Sequence, residues 1–350
     1  MDSRTQDSYR LLSESDLELI HALQLRPRAS WTELGSALGV DPVTVARRWQ
    51  RLSDRGEAWV SMSPGPRLLD QICVAYLEID CAGSPATVAR TLSRHPHIVT
   101  LEHSGGDHDL LATVAMPDLH AMSQYVLDVL PAVPGVVALR HRIATHMFAE
   151  GGSWRIDALT PRQRAQLAAG DEPRPARRAQ PAITQADRAL LALLARDGRA
   201  SFQSLATALD TNAATVKRRL DQLLRLGLLR FRCDFARPLG GWPVAVTLWA
   251  RVPPAQLPDI GQALIQLPET RNCAAVSGAH NLIVQAGLHS IADVLRWETQ
   301  LATTHPALDI AQRAITLRHE KLLGRLLDPL GRSIGTVAPD IWLPPAEVGP

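Results

Sequence analysis

The chain has 350 residues, too many for one ordinary domain and suited to two to four. Its 46% hydrophobic and 21% charged residues exclude a disordered or fibrous class, and a net charge of +2 excludes nothing by itself, because nucleic-acid binding depends on where positive charge clusters. Apolar stretches such as 242–250 and 281–288 are too short to span a bilayer, and Met1 to Arg10 is polar, so no membrane segment or signal peptide is expected and the reading is cytoplasmic.

The first amphipathic segment opens with Ser13 and Asp16, a capping hydroxyl three residues ahead of a carboxylate, and continues with Leu19, Ile20 and Leu23 at helical spacing. A second short helix is expected after Ser30, with Leu34 and Leu38 inward. A third begins after Asp41, with Pro42 where a first-turn proline is tolerated, and stops at Gly56. Three short helices with a tight turn before the third form a tri-helical DNA-binding module over 13–62. The third helix turns Val45, Trp49 and Leu52 to one side and Thr44, Arg47, Arg48 and Arg51 to the other, a cationic row suited to base edges and phosphates in a major groove.

From residue 70 to 150 strand and helix patterns alternate. Strands are expected at 72–80, 97–104, 109–116 and 136–146, with helices at 84–94 and 118–130. This is a ferredoxin-like βαββαβ layout, whose uncovered sheet face is apolar and needs a second copy to bury it. Four cysteines, Cys73, Cys81, Cys233 and Cys273, lack CxxC spacing, which argues for free thiols in a reducing compartment over zinc or a disulfide framework. Residues 159–183, rich in Pro, Arg and Ala, read as a linker.

The pattern then repeats. Residues 13–60 match 184–231 without a gap: Asp16, Leu19 and Leu23 recur as Asp187, Leu190 and Leu194, and Arg28-Ala29-Ser30 recurs as Arg199-Ala200-Ser201. Thr184 and Asn212 are the equivalent caps, and Gly227 is the equivalent stop. A second helix-turn-helix domain is therefore expected over 184–232, with Thr215, Lys217, Arg218 and Arg219 as its DNA-facing residues. Arg51 is Gln222 in the second copy, so the two copies are not expected to read identical half-sites. A second βαββαβ domain follows over 240–325 (strands 243–252, 270–277, 281–287 and 308–319; helices 255–266 and 290–303). The tail, 326–350, carries five prolines and reads as irregular. The fold class is α+β, two tandem units, each a three-helix helix-turn-helix domain followed by a ferredoxin-like domain.

The run Gly-Val-Asp-Pro-Val-Thr-Val-Ala-Arg-Arg at 39–48, with the βαββαβ domain and Gly106-Asp107-His108-Asp109 at its central turn, resembles the Lrp/AsnC (feast/famine) regulators. The resemblance implies a sequence-specific regulator of double-stranded DNA that responds to an amino acid or similar metabolite, and a homo-oligomer built on an intrachain pseudo-dimer. It implies an effector site at Gly106, Asp107 and Asp109. Gly278 is kept in the second unit, where Ala279 and Asn281 replace the acidic residues. No catalytic residue, cofactor or metal is expected. Asp107, His108 and Asp109 are adjacent on one turn and lack distant partners to complete a metal site. The competing reading is an enzyme similar to the siroheme decarboxylases, which would need the histidines His95, His97, His103, His108, His141 and His146 and an arginine to converge on a tetrapyrrole.

Overall fold

The computed structural model describes residues 10–168 and 183–348, which form two compact units. One unit holds both helix-turn-helix heads and residues 332–340. The other holds both βαββαβ domains and residues 341–348.

Each head is the expected tri-helix. In the first, α1 (Glu14–Leu25), α2 (Trp31–Leu38) and α3 (Pro42–Asp54) bury Leu19, Leu23, Leu34, Val45, Trp49 and Leu52. The Ser13–Asp16 and Ser30–Glu33 pairs form reciprocal capping boxes, and the Asp41 carboxylate accepts from the amides of Val43 and Thr44. Gly56 ends the turn after α3 with φ +66. A side chain there would also collide with the Ser333 backbone, whose amide donates to the Gly56 carbonyl. The stretch assigned to a linker opens with a further helix, α6 (Pro161–Ala168), whose Leu167 is buried; residues 169–182 of that stretch lie outside the described residues. The second head comprises α7 (Gln185–Arg196), α8 (Phe202–Ala208) and α9 (Ala213–Arg225), capped by Thr184, Ser201 and Asn212.

After each third helix the chain forms a strand that the periodicity reading left out. These are β1 (Ala58–Pro64) and β6 (Leu229–Phe235), which pair antiparallel and join the heads. Ser61 stands opposite Arg232, its own repeat counterpart, so a pseudo-twofold axis passes through that pair.

In the second unit, β2 (Cys73–Cys81), β3 (Ile98–Gly105), β4 (Leu110–Met116) and β5 (Val136–Ala149) form a sheet in the order β3-β4-β2-β5. Its outer face packs on α4 (Pro85–Leu92) and on α5 (Leu119–Gln124), which runs on through a π-helical turn, Tyr125–Val129. The second copy has β7 (Val244–Arg251), β8 (Thr270–Val276), β9 (Leu282–Leu288) and β10 (Asp309–Leu322) in the order β8-β9-β7-β10, against α10 (Leu257–Leu264) and α11 (Ala292–Thr304). The two sheets join at both edges, β5 to β8 and β10 to β3, and close an eight-stranded ring. Closure removes the free sheet edges. It also buries the inner faces, where Tyr76, Leu111, Trp249, Ala274, Val276 and Ile283 meet.

The tail is less irregular than its prolines suggest. Arg325–Leu327 (β11) folds back on β10, Ser333–Thr336 is extended, and Ile341 packs on Val74 and Ala115.

Candidate nucleic-acid interface and effector turn

The expected DNA-facing residues divide into two groups. Arg47, Lys217 and Arg218 are exposed, as is Thr44, while Thr215 is half-buried. Lys217 makes an exposed ion pair with Asp221 one turn along its helix (2.8 Å), which contributes little. Arg48, Arg51 and Arg219 turn back toward the head. Arg51 pairs with the buried Asp16, and Arg48 donates to the Ser15 carbonyl (3.2 Å) and lies 4.0 Å from the same carboxylate. Arg219 makes a two-pronged pair with Asp187. Burial pushes the Asp187 carboxyl up, but hydrogen bonds from Arg219 and Thr184 outweigh it and hold the group below its ordinary range. One carboxylate thus caps the first helix and anchors the third, which fixes the tilt of the helix that carries Arg47 or Arg218.

The heads also clasp each other through residues that composition did not single out. Arg28 donates to the carbonyls of Gly198 and Ala200 (2.9 Å for the latter), and Arg199 donates to those of Pro27 and Ala29 at 2.6 and 2.8 Å. The Arg199 guanidinium lies 3.9 Å from the Trp31 ring centroid, and Arg28 lies over Phe202 and Phe231. The signal was present as the repeated Arg-Ala-Ser triplet, whose serines are the caps of α2 and α8.

At the expected effector turn the residues separate. The Asp109 carboxylate accepts from the Cys81 amide (2.8 Å), so it ties the turn to the end of β2. Asn281 does the same in the second copy, accepting from the Val252 amide at 2.9 Å. The change from Asp to Asn therefore keeps the anchor. Asp107 accepts from Gln312 at 3.3 Å, and a Cβ on Gly106 would lie 3.0 Å from that of Ala314, so this turn abuts β10 of the other copy. Gly278 has φ +103 and open space around it. His108 is buried, and burial pushes its imidazole below the ordinary value.

The turn is braced by residues missing from the sequence reading. Arg140 donates to Glu78, to Asp80 and to the Asp107 carbonyl, and Arg142 donates to Glu78 at 2.6 Å. Acids two apart on β2 opposite arginines two apart on β5 is a period-two complement that the sequence displays.

Of the six histidines, His95 and His97 both pack edge-on against the Tyr125 ring, and the others make different contacts. His95 bonds the Tyr125 hydroxyl (2.7 Å), and His97 bonds the Leu343 carbonyl (2.8 Å). His103 faces Glu320 (3.3 Å), and His141 and His146 are exposed. Among the described residues, no cluster of three or more His, Cys, Asp or Glu is placed to hold a metal, all four cysteines are free, and no helix is long and apolar enough to cross a membrane.

Fold and site together define a class: two helix-turn-helix heads in a pseudo-twofold pair, with two ferredoxin-like domains closed into one barrel. Models of known families place the chain more narrowly. The AsnC-type helix-turn-helix domain matches at 12–53 and again at 183–224, and the Lrp/AsnC ligand binding domain matches at 74–154, so this is a tandem two-unit Lrp/AsnC-like protein. An uncharacterized HTH-type transcriptional regulator of Pyrococcus abyssi is 27% identical over 116 residues, 33% of this chain and 73% of its own. An HTH-type transcriptional regulator of Mycobacterium tuberculosis is 27% identical over 149 residues, 41% of this chain and 97% of its own. Among solved structures, the siroheme decarboxylase NirDL superposes along nearly the whole chain, with TM-score 0.59 at 12% identity, covering 91% of this chain and 94% of that one. The same enzyme in complex with an iron-uroporphyrin III analogue gives TM-score 0.57 at 12% identity, covering 89% and 93%. At that identity the likeness is one of fold.

Proposed function

We propose that this chain is a sequence-specific DNA-binding transcription regulator, without enzymatic activity, that answers to a small metabolite such as an amino acid. The observation that carries the reading is the pair of exposed arginines, Arg47 and Arg218, at equivalent positions on two third helices, beside arginines (Arg48, Arg51 and Arg219) that reach back to Asp16 and Asp187. A helix braced from behind, with free cationic and hydroxyl side chains ahead, is suited to a major groove. The Asp107 carboxylate at the Gly106 turn is the group offered to the ammonium of an amino-acid effector, since Asp109 is spent on the Cys81 amide.

The test is a salt titration of binding to double-stranded DNA from the chain's own upstream region, with and without a panel of amino acids. Replacing Arg47 and Arg218 with Ala should lower the slope of log K against log salt by about 2, close to 0.9 per phosphate contact, with the thermal melt unchanged. An unchanged slope would sink the assignment.

A second reading has an observation of its own. The fold over 91% of the chain is like that of the siroheme decarboxylase NirDL, and this likeness supports an enzyme acting on an iron tetrapyrrole. Titration of the full chain with siroheme separates the two: stoichiometric spectral change with CO2 release supports the enzyme, and a flat spectrum supports the regulator.

A further inference from the structure

The pairing of the heads has a consequence for the DNA they would read. Register and clasp are both twofold: Ser61 faces Arg232 at the centre of the β1–β6 ladder, and each of Arg28 and Arg199 grips the segment equivalent to the one that grips it. Heads related in this way present their third helices in opposite senses, which suits inverted half-sites one helical turn, or a multiple of it, apart. The axis itself is built from unlike residues. Arg232 is buried and pairs with Asp234 on its own strand (2.6 Å), whereas the first copy has Ser61 and Ser63 there. A homotypic pair of second heads in this register would set Arg232 against Arg232 in a buried ladder, and like charges directly opposite are unfavourable. The mismatch disfavours a pair of two second heads.

The surfaces that such a pair offers are unequal. Thr44 and Arg47 recur as Thr215 and Arg218, giving both halves a shared core. Around them Ala46 becomes Lys217, Gln50 becomes Asp221 and Arg51 becomes Gln222. Gln50 is exposed and Asp221 half-buried, and each bonds a partner on its own helix, Asp54 and Lys217. A glutamine amide matches adenine, donating and accepting at once, whereas a carboxylate accepts from the cytosine amino group and repels phosphate.

We infer that the chain reads an inverted repeat of two unequal half-sites, and so occupies its operator in one orientation. This rests on the DNA-binding reading above. The full chain is incubated with randomised double-stranded DNA and the enriched sequence is recovered. Three duplexes are then made: the recovered composite and the two perfect palindromes built from either half. The composite should bind about tenfold tighter than each palindrome, near the cost of one mismatched base pair. The double variant Lys217→Ala with Asp221→Gln, which gives the second head the residues of the first at two positions of its third helix, should bring the first-half palindrome up to the composite. Equal binding of the composite and either palindrome by the unaltered chain overturns the inference while leaving DNA binding intact, and so does a double variant that leaves the ranking unchanged. Recovery of no enriched sequence overturns the regulator reading and the inference with it.

Discussion

The Arg199 side chain is the most informative single place to perturb the head unit. Burial, with Arg28 beside it, pushes its guanidinium down to about 10, so it stays charged at neutral pH. It makes two hydrogen bonds to carbonyls of the opposite head and stacks on Trp31. Hydrogen bonds to a charged donor contribute about 1.5–3 kcal/mol each, and the ring contact adds about 1 kcal/mol. Arg199→Ala takes these away, but it also relieves repulsion with Arg28 and lets water reach the carbonyls of Pro27 and Ala29. The net cost is on the order of 3 kcal/mol, which is about a hundredfold in the equilibrium for opening the clasp. The ladder between β1 and β6 depends on the same docking, so amide hydrogen exchange of the full chain should quicken by about that factor in peptides covering 58–64 and 229–235. Arg199→Lys keeps the charge without the planar fork and should fall between. Unchanged exchange in both strands of the Ala variant would show that the clasp does not hold the heads together.

Acid should loosen the segment after the first βαββαβ domain. His21 accepts from the amides of Ala158 and Leu159 at 3.1 Å each, and burial, partly opposed by Asp157, pushes its imidazole down to about 4. Its folded pKa lies below the unfolded 6.5, so its contribution is complete above pH 6.5 and is lost as pH falls toward 4. The loss reaches about 3 kcal/mol, and thermal melts at pH 7.5 and 4.5 should differ less in His21→Gln. Lys321 is fully buried, donates to the His95 carbonyl at 2.8 Å, and burial pushes it down to about 7. The penalty of its charged form is complete below pH 7 and fades as pH rises toward 10.5, so Lys321→Met should melt higher than the parent at pH 6.5 and lose the parent's gain at pH 9.5. Asp109→Asn should leave the melt unchanged, because Asn281 already does the same work, whereas Asp109→Ala should cost about 1–3 kcal/mol. An equal loss in both Asp109 variants would mean that the charge itself is needed.

The heads were legible because their rules are local. Capping residues, helical spacing and the Arg-Ala-Ser repeat need only a dozen neighbouring residues to be read, and Ser13 with Asp16 and Thr184 with Asp187 form the boxes their spacing implied. The strands β1 and β6 escaped because each is short and its partner lies 171 residues away, so nothing near Ala58-Trp59-Val60 in the chain marks it as paired. For the same reason the anchoring of Arg48, Arg51 and Arg219 was hidden. On a helical wheel they share the outer flank with Arg47 and Arg218, and only the position of the first helix shows that Asp16 and Asp187 reach them. The turn at Gly106 was legible from its residues, but the bond that Asp109 makes to the Cys81 amide was not, because that amide lies 28 residues away along the chain.

Duplication within one chain permits what a homodimer cannot, namely different residues at positions related by the twofold axis. Inside the barrel Glu78 and Trp249 occupy equivalent places on β2 and β7, opposite Leu111 and Ile283. Arg142 uses both, with its guanidinium 4.2 Å from the Trp249 ring centroid while it pairs with Glu78. Two glutamates at these places would bring two buried anions toward one cation, and two tryptophans would leave that cation without a counter-charge, each costly in a water-poor interior. The unequal pair satisfies Arg142 once, with carboxylate at one side and aromatic face at the other. Glu78→Trp would therefore disrupt the barrel even though it reproduces the residue of the other copy, because the two positions share a single cation.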